Sequence, residues 1–406
     1  MCSIYGAIGR NINPFIFDRI QLNAVDRGRD GGRCETYHAD DGMEVQLGNW
    51  RAVPTPEVQH GELQPYDRLV HNGTIANDKE LGALPGEIDS QCLARVLRRD
   101  SLWNLAQSLE AVTGSYALAV FNGHTVLAAA NYKPLHYARV GDVTYFSSMA
   151  RHFDGVLPFG HAPVAVEPYS AIDFRTGHAL PLHKTDSKRA VVIASAGLDS
   201  TVVATKLVRE GCDVCLLHFT YGCHAGSREH ASIPKIAQAL GCTYQYLDVD
   251  LAAMLGLRSS TLFGEGQIVG TIEGAEYAHE WVPGRNLVFV SLAVAWAEAN
   301  GYHAVALGNN LEESGAYPDN EEQFTHLLDQ AAPYAVQAHY GMRVLSPVGN
   351  LMKHEIVALG LKLGAPFEHT WSCYRGGERP CDACGPDFMR HEAFRRNGAV
   401  DPVFHV

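Results

Sequence analysis

Residues 189–211, RAVVIASAGLDSTVVATKLVREG, constrain the fold most, because a buried-type strand, a turn of small residues and a helical pattern follow one another directly. Farther along, strand and helix patterns alternate in DVCLLHFTYG, SIPKIAQALG, TYQYLDVD, NLVFVSLAVAWAEANG and AVALGNN. Strands that alternate with helices indicate βαβ units around a parallel sheet. The sequence therefore predicts a Rossmann-like α/β domain over residues 188–406.

The preceding 180 or so residues have a different pattern. Short strand-like runs separated by turn residues recur in EVQLGNW, YALAVFN, TVLAAA and VTYFSS. One helical stretch, SQCLARVLRR followed by SLWNLAQSLEAV, interrupts them. The segment SAIDFRTGHALPLHKTDSKR predicts a last strand pair and a polar linker. We expect an α+β domain over residues 2–183.

Composition excludes some classes of function. No apolar run is long enough to span a bilayer, and MCSIYGAIGRNINPF lacks the features of a signal peptide. The 10 cysteines are scattered or in metal-like spacing, which favours a reducing cytoplasm over a disulfide framework. The net charge of −13 argues against sequence-independent binding to duplex nucleic acid.

The turn SAGLDS, Ser195 to Ser200, lies between the first strand and the first helix of the second half. Small residues let backbone N–H groups approach a phosphate, and the helix N-terminus adds partial positive charge. Ser195 and Ser200 can donate hydrogen bonds, and Asp199 can help to hold Mg²⁺ or cap the helix. The alternative is a plain strand-to-helix turn. A Walker loop is excluded, because the G-K-[ST] end is absent.

The loop resembles the S-G-G-x-D-S loop of the N-type ATP pyrophosphatases, with Ala196 in place of the second glycine. Together with HFTYG, VPGRN, SGAYPDN, SPVGNLMKHEIVALG and TWSCYRGGE, it makes residues 188–394 resemble the 7-cyano-7-deazaguanine synthase family. This resemblance implies Mg²⁺ and a set of ATP-binding residues: Ser195, Ala196, Gly197, Leu198, Asp199, Ser200 and Arg285. It also makes Tyr317 and Asp319 candidates for binding the base. The alternatives are a salt bridge at the helix start for Arg285 and a turn position for Asp319.

Three cysteines, Cys373, Cys381 and Cys384, have the rhythm of a metal site, although a closed zinc site needs four ligands. The resembled family has a four-cysteine zinc site, and its spacing places Asp387 at the fourth position. His391, one helical turn later, is a second candidate. Alternatively, the metal is lost and Asp387 caps the helix FMRHEAFRR. We expect structural Zn²⁺ held by the three cysteines and Asp387.

Cys2 follows the initiator methionine, whose removal before a small residue leaves a terminal cysteine. Its α-amine, with a reference pKa of about 7.7–8.0, can then accept the thiol proton, so nucleophile and base lie on one residue. The stretches MCSIYGAIG, RGRDGG, NWRAVPTPE, VHNGTIANDKEL, IDSQCLARVL, TGSYALAVFN and NYKPLHYA resemble the class II glutamine amidotransferases. That resemblance implies an αββα sandwich of the N-terminal-nucleophile (Ntn) type.

The same resemblance implies a role for each matching residue. Arg51 is expected to pair with the α-carboxylate of glutamine and Asp89 with its α-ammonium. Asn72 and Gly73 are expected to form the oxyanion hole, while Cys2 becomes a glutamyl thioester and releases ammonia. The family's T-R-W-A-T-H-G type stretch is replaced here by WRAVPTP, so we expect a different loop closing over glutamine.

A glutaminase half fused to a deazaguanine half predicts ammonia transfer along a sheltered path. Fusions of this architecture belong to the archaeosine branch of the family, which favours addition of ammonia to a 7-cyano group, giving a formamidine in tRNA or DNA. The alternative is ATP-dependent conversion of a free 7-carboxy base to the 7-cyano base. Asparagine synthetase and an inactive deazaguanine-binding protein are the rivals. A homodimer is implied by the family alone.

Overall fold

The computed structural model describes residues 2–52, 61–182, 188–255, 260, 262–263, 281–314, 317–337 and 341–404. The chain divides into two compact units. Unit 1 is Met1–Thr185 with Pro333–Gly341, and unit 2 is Asp186–Ala332 with Met342–Val406. Residues 53–57, which contain most of the loop expected to close over glutamine, and residues 183–187 of the predicted linker lie outside the described residues.

Two antiparallel sheets form unit 1 within its described residues. The first sheet has the order β2-β3-β1-β8-β7-β9, with β1 Ser3–Gly9, β2 Gly31–His38, β3 Glu44–Arg51, β7 His136–Val140, β8 Val143–Ser147 and β9 Val164–Ala165. The second has the order β11-β10-β6-β5-β4, with β4 Leu69–Ile75, β5 Gly114–Phe121, β6 Val126–Ala130, β10 Ser170–Asp173 and β11 Ala179–Pro181. The predicted strands are confirmed.

The side chains of β1 alternate between two cores, as the two-residue period of a strand requires. Ile4 and Ile8 pack against residues of the second sheet such as Ala119, so the two sheets lie face to face. The outer face of the first sheet packs on helix α1, Pro14–Asn23. The outer face of the second sheet packs on α2, Asp89–Val96, and α3, Leu102–Leu109. The predicted αββα sandwich is confirmed.

Unit 2 is built on a parallel five-stranded sheet within its described residues, with the order β14-β13-β12-β15-β16. The strands are β12 Arg189–Ile193, β13 Asp213–Thr220, β14 Thr243–Asp248, β15 Ala304–Ala306 and β16 Arg343–Leu345. The helices are α4 Leu198–Arg209, α5 Gly226–Leu240, α6 Leu251–Leu255, α7 Arg285–Ala299, α8 Leu311–Ser314, α9 Glu322–Ala335, α10 Lys353–Leu363 and α11 Gly385–Arg396. The end of α9, from Pro333, belongs to unit 1. The predicted Rossmann-like α/β fold is confirmed.

Helix α5 begins at Gly226, earlier than the pattern SIPKIAQALG predicts, and therefore contains Pro234 in its interior. A proline leaves the carbonyl four residues before it without its helical hydrogen bond. Here that carbonyl belongs to His230, and it accepts a hydrogen bond of 2.9 Å from the Tyr246 hydroxyl on β14. No helix within the described residues combines the length and the apolar character that a bilayer crossing requires.

Candidate functional site

Cys2 immediately precedes β1, a central strand of the first sheet in unit 1, and is 7% exposed. Strand β1 pairs with β3 so that Ser3 lies opposite Trp50. Because Arg51 follows Trp50 at the end of β3, the antiparallel register continues toward Cys2 and Arg51. The strand pairing thus brings the candidate nucleophile and the candidate carboxylate-binding residue to the same end of the sheet.

A hydrogen-bond network joins the two residues predicted to bind glutamine. Arg51 Nη2 donates to the His71 carbonyl at 3.0 Å and to Ser90 Oγ at 3.3 Å. Ser90 Oγ in turn donates to Asp89 Oδ1 at 3.3 Å. The other carboxylate oxygen, Asp89 Oδ2, accepts the backbone N–H of Ile75 at 2.9 Å. The Ser90 hydroxyl therefore bridges Arg51 and Asp89, and these hydrogen bonds fix both side chains.

Three buried residues of this network were not predicted from the sequence: Ser90, His71 and Gln64. His71 Nδ1 lies 2.9 Å from Ser90 Oγ, and Gln64 Nε2 donates to the same oxygen at 3.1 Å. Burial lowers the pKa of His71 to about 4; the Asp89 carboxylate opposes this shift and Arg51 adds to it. His71 is thus neutral at physiological pH. Two of these residues could have been found from their position in the sequence, because Ser90 adjoins Asp89 and His71 precedes Asn72.

Asn72 and Gly73 lie next to each other on β4. Asn72 is 4% exposed, and its Nδ2 has no hydrogen-bond partner among the described residues. A Cβ on Gly73 would lie 1.9 Å from the Ser115 carbonyl oxygen, so only glycine allows β4 and β5 to pair here. A buried N–H donor without a partner is available to a negative charge that develops on a bound substrate.

In unit 2, the phosphate loop, Ser195 to Ser200, comprises the turn after β12 and the first turn of α4, and its residues except Ala196 line a cavity of about 300 Å³. The loop is held by its own contacts, since Gly197 N–H donates to Ser195 Oγ at 3.3 Å. Ala196 is buried and adopts a left-handed conformation with φ of 58°. Its carbonyl accepts the Trp371 N–H at 2.8 Å. Alanine therefore takes the backbone conformation that the family's glycine would favour.

Lys353, the first residue of α10, lines the same cavity beside the loop. Its Nζ lies 2.5 Å from Asp199 Oδ2 and 3.0 Å from Glu313 Oε1. Asn310 Nδ2 also donates to Asp199 Oδ2, at 3.2 Å. Burial opposes ionisation of Asp199 and raises its pKa, although Lys353 favours the ionised form. Lys353, Glu313 and Asn310 were not predicted as site residues.

A second part of the cavity is lined by Tyr221, Glu229 and Arg285. Arg285, the first residue of α7, places its guanidinium carbon 6.0 Å from the centre of the Tyr221 ring. Phe219 and Phe289 stack with centroids 4.3 Å apart and an interplanar angle of 3°. Because both also line the cavity, its wall here is flat and aromatic. Glu229 lay outside the sequence-predicted helix and was not predicted as a site residue.

The two residues predicted to bind the base differ in position. Tyr317 lines the cavity and stacks on Trp281 with centroids 6.3 Å apart. Asp319 is buried and is not among the residues that line the described cavity. Its Oδ2 accepts the Asn286 N–H at 3.4 Å, and its carbonyl accepts the Asn309 amide at 3.1 Å. Asp319 thus holds the start of α7, next to Arg285.

The cysteine stretch brings together four candidate metal ligands: Cys373, Cys381, Cys384 and Asp387. One potential ligand atom from each lies within 4.8 Å of all the others. Asp387 is fully buried and its Oδ1 has no hydrogen-bond partner among the described residues, while Oδ2 accepts the Asp382 N–H at 3.0 Å. His391 is engaged elsewhere, with Nε2 2.7 Å from Asp382 Oδ1. Three sulfur donors and one buried carboxylate oxygen fit a tetrahedral Zn²⁺ ion.

The fold and the sites define a protein with an Ntn-type sandwich in one unit and a phosphate-loop α/β domain in the other. Residues 189–398 match the family model described as queuosine biosynthesis protein QueC. A relative from Saccharolobus solfataricus named 7-cyano-7-deazaguanine synthase is 39% identical, with 99% of each chain covered. The relative of the same name from Sulfolobus acidocaldarius is 38% identical with the same coverage. The chain therefore belongs to the QueC family of enzymes.

Shorter and more distant matches were also found. A Koribacter versatilis relative named 7-cyano-7-deazaguanine synthase is 36% identical over 55% of this chain and 96% of its own. Among solved structures, glutamine phosphoribosylpyrophosphate amidotransferase from B. subtilis, complexed with ADP and GMP, aligns at a TM-score of 0.38 and 15% identity. That alignment covers 95% of this chain and 100% of the other.

Proposed function

We propose that the protein is a glutamine-dependent amidotransferase that transfers ammonia to the 7-substituent of a 7-deazaguanine. The observation that carries the proposal is one chain with two sites. Unit 1 has Cys2 at the strand end next to the Arg51–Ser90–Asp89 network. Unit 2 has a cavity lined by both a phosphate loop and an aromatic wall. The names of the full-length relatives support the deazaguanine substrate.

Glutamine is hydrolysed in unit 1 in this proposal. Once Met1 is removed, the α-amine of Cys2 accepts the thiol proton and Sγ attacks the amide carbon of glutamine. Asn72 Nδ2 and the Gly73 N–H stabilise the oxyanion, and ammonia leaves to give a glutamyl thioester. Water then releases glutamate. Arg51 and Asp89 hold the α-carboxylate and the α-ammonium through charge-assisted hydrogen bonds.

The acceptor reaction we favour is addition of ammonia to a 7-cyano group. The nitrile carbon gains one nitrogen and the product is a formamidine, the archaeosine-type base, within tRNA or DNA. The fused architecture supports this product, because fusions of this kind belong to the archaeosine branch of the resembled family. Ammonia kept away from water stays unprotonated and nucleophilic, which is the reason for a sheltered path.

A second reaction is favoured by the phosphate loop and by the names of the relatives. Conversion of a 7-carboxy base to the 7-cyano base consumes ammonia and requires two activations by ATP. The first lets ammonia replace one carboxyl oxygen to give an amide, and the second removes the amide oxygen to give the nitrile. Ser195, Gly197 and Ser200 line the cavity at the start of α4, where a helix N-terminus favours phosphate. Arg285, with its planar donors, is then a clamp for the substrate carboxylate. ATP and Mg²⁺ are cofactors of this second reaction.

We also propose that Zn²⁺ is held by Cys373, Cys381, Cys384 and Asp387. All four positions are filled by protein ligands, so the ion has no open position for substrate and its role is structural. The cluster follows Trp371 and Ser372, which line the cavity. The ion thereby stabilises one wall of the site rather than taking part in the reaction.

The deciding assay supplies glutamine with either the 7-cyano or the 7-carboxy compound, free or within tRNA or DNA, with and without ATP. Formamidine from the 7-cyano compound without ATP supports the favoured reaction; product only from the free 7-carboxy base with ATP refutes it.

Cys2→Ala should abolish glutamine-dependent product, while ammonium chloride restores product. Cys34→Ala is the control and should retain glutamine-dependent activity.

A further inference from the structure

Glu229 is a buried acid on the wall of the cavity in unit 2. It lies in the first turn of α5 and is 9% exposed. No hydrogen bond to its carboxylate is found among the described residues, although the carboxylate lies beside the cavity. A buried acid without donors is costly, and burial raises the pKa of Glu229 to about 7 despite the nearby charge of Arg285. Such a group is suited to hydrogen bonding with a ligand that supplies the missing donors.

Its neighbours determine which ligand fits. Arg285 lines the cavity and supplies guanidinium donors, and Tyr221, which also lines it, lies 3.5 Å from Arg285 Nη1. Phe219 and Phe289 provide a flat wall for a planar ring. The site therefore presents donors from Arg285 next to acceptors from Glu229, beside a surface on which an aromatic ring can pack.

The edge of a guanine-type ring presents O6, N1–H and the 2-amino group in that order, which is one acceptor followed by two donors. Resting on the proposed function, we propose that Glu229 accepts N1–H and the 2-amino group of the 7-deazaguanine while Arg285 donates to O6. Glu229 then determines the specificity of the enzyme for a 2-amino-4-oxo base. An adenine-type edge has a different order and leaves the acceptors of Glu229 unmatched.

The position of Glu229 favours the base over ATP as its ligand. In the proposed function, phosphates bind at the residues from Ser195 to Ser200, where Lys353 also lines the cavity. Glu229 instead follows the next strand, β13, and shares its part of the cavity with Arg285 from VPGRN and Tyr374 from TWSCYRGGE. Tyr221, which lies beside Arg285, also packs edge-on against Phe289 with ring centroids 5.4 Å apart, so the flat aromatic wall lies in this part of the cavity and suits a planar base.

Glu229→Gln tests the proposal, because glutamine keeps the shape but replaces one acceptor with an N–H₂ donor. The probes are 7-cyano-7-deazaguanine and its 2-oxo and 2-deamino analogues, as free bases and as nucleosides, with dissociation constants measured by calorimetry on the full-length protein. We expect Glu229→Gln to weaken binding of the 2-amino base by about 10- to 100-fold. The 2-deamino base should lose less, and the 2-oxo base should bind more tightly, because the new donor faces its O2.

Glu210→Gln is the matched control, since Glu210 is exposed and pairs only with Lys206 among the described ion pairs. Glutaminase activity should be the same in both variants and reports that the chain is folded. An unchanged ratio of 2-amino to 2-oxo binding in Glu229→Gln overturns the proposal. The proposal is also overturned if Glu229→Gln weakens the binding of ATP but not that of the base, or if the wild-type protein binds none of the probes. Failure of wild type to transfer ammonia refutes the proposed reaction, while the binding ratios still decide the role of Glu229.

Discussion

Replacing Lys353 with methionine removes the positive charge between Asp199 and Glu313. The side chains of Lys353, Asp199 and Glu313 are 11%, 15% and 33% exposed. Of the two carboxylates, Asp199 is therefore the one that water stabilises less once the positive charge is removed. A broken buried ion pair typically costs about 3–5 kcal/mol, because one charge stays buried without its partner. We expect Lys353→Met to lower the free energy of unfolding of unit 2 by about that amount at pH 8.

The loss should depend on pH in a defined direction. Burial already raises the pKa of Asp199, and removing Lys353 eliminates the charge that opposes this shift. A carboxyl group whose folded pKa lies above its unfolded value stabilises the protein below the unfolded pKa and loses that contribution as pH rises. Lys353→Met should therefore be less destabilising at pH 5 than at pH 8. Asp199→Asn in the Lys353→Met background should recover part of the lost stability.

Urea unfolding followed by tryptophan fluorescence measures the effect, with Trp281, Trp296 and Trp371 reporting on unit 2. With a slope of about 1–3 kcal/mol per molar urea, the midpoint should fall by more than about 1 M. Lys206→Met is the control, because the exposed pair of Lys206 with Glu210 should contribute less than about 1 kcal/mol. A loss below about 1 kcal/mol for Lys353→Met at both pH values would refute the reasoning.

Three further predictions concern the other sites. Asp387→Ala should abolish stoichiometric zinc, measured by atomic absorption, while His391→Ala should retain it; equal zinc in both variants would exclude Asp387 as the distinguishing ligand. Asn72→Ala should lower the kcat of the glutaminase by about 100- to 1,000-fold with little change in KM, whereas a change in KM alone would argue against an oxyanion role. The raised pKa of Glu229, about 7 against an ordinary 4.5, means that stability should fall as pH rises between these values. In Glu229→Gln, the free energy of unfolding should depend less on pH between 4.5 and about 7. An unchanged pH dependence would contradict the raised pKa of Glu229.

Strands such as EVQLGNW, YALAVFN, TVLAAA and VTYFSS could be predicted because their signals are local. Each of these runs is a few adjacent apolar or β-branched residues bounded by turn residues. The start of α5 could not be predicted from local sequence, because Pro234 is typical of the first turn of a helix. The interior position of Pro234 is accommodated by a tertiary contact, the hydrogen bond from the Tyr246 hydroxyl on β14 to the His230 carbonyl. The composition likewise does not change at residue 333, although residues 333–337 and 341 belong to unit 1.

The same distinction explains what was predicted of the candidate sites. The phosphate loop and the cysteine cluster are contiguous motifs, so their residues could be named before their geometry was known. Glu229 was missed because the predicted helix began after it. Asp319 follows Pro318 in a motif that suggests base binding, but its position depends on a tertiary contact with Asn286 at the start of α7. Residues that act through such contacts have no signature in a single sequence.

Trp371 contacts both the phosphate loop and the cysteine stretch of unit 2. Its backbone N–H donates to the Ala196 carbonyl in the phosphate loop, and its indole Nε1 donates to the Cys373 carbonyl at 2.7 Å. Trp371 thus restrains Ala196, whose left-handed conformation alanine does not favour, and Cys373 of the candidate metal cluster. For the Zn²⁺ and ATP proposed above, we expect these two hydrogen bonds to couple metal occupancy to nucleotide affinity, so that removing the metal with a chelator should weaken nucleotide binding.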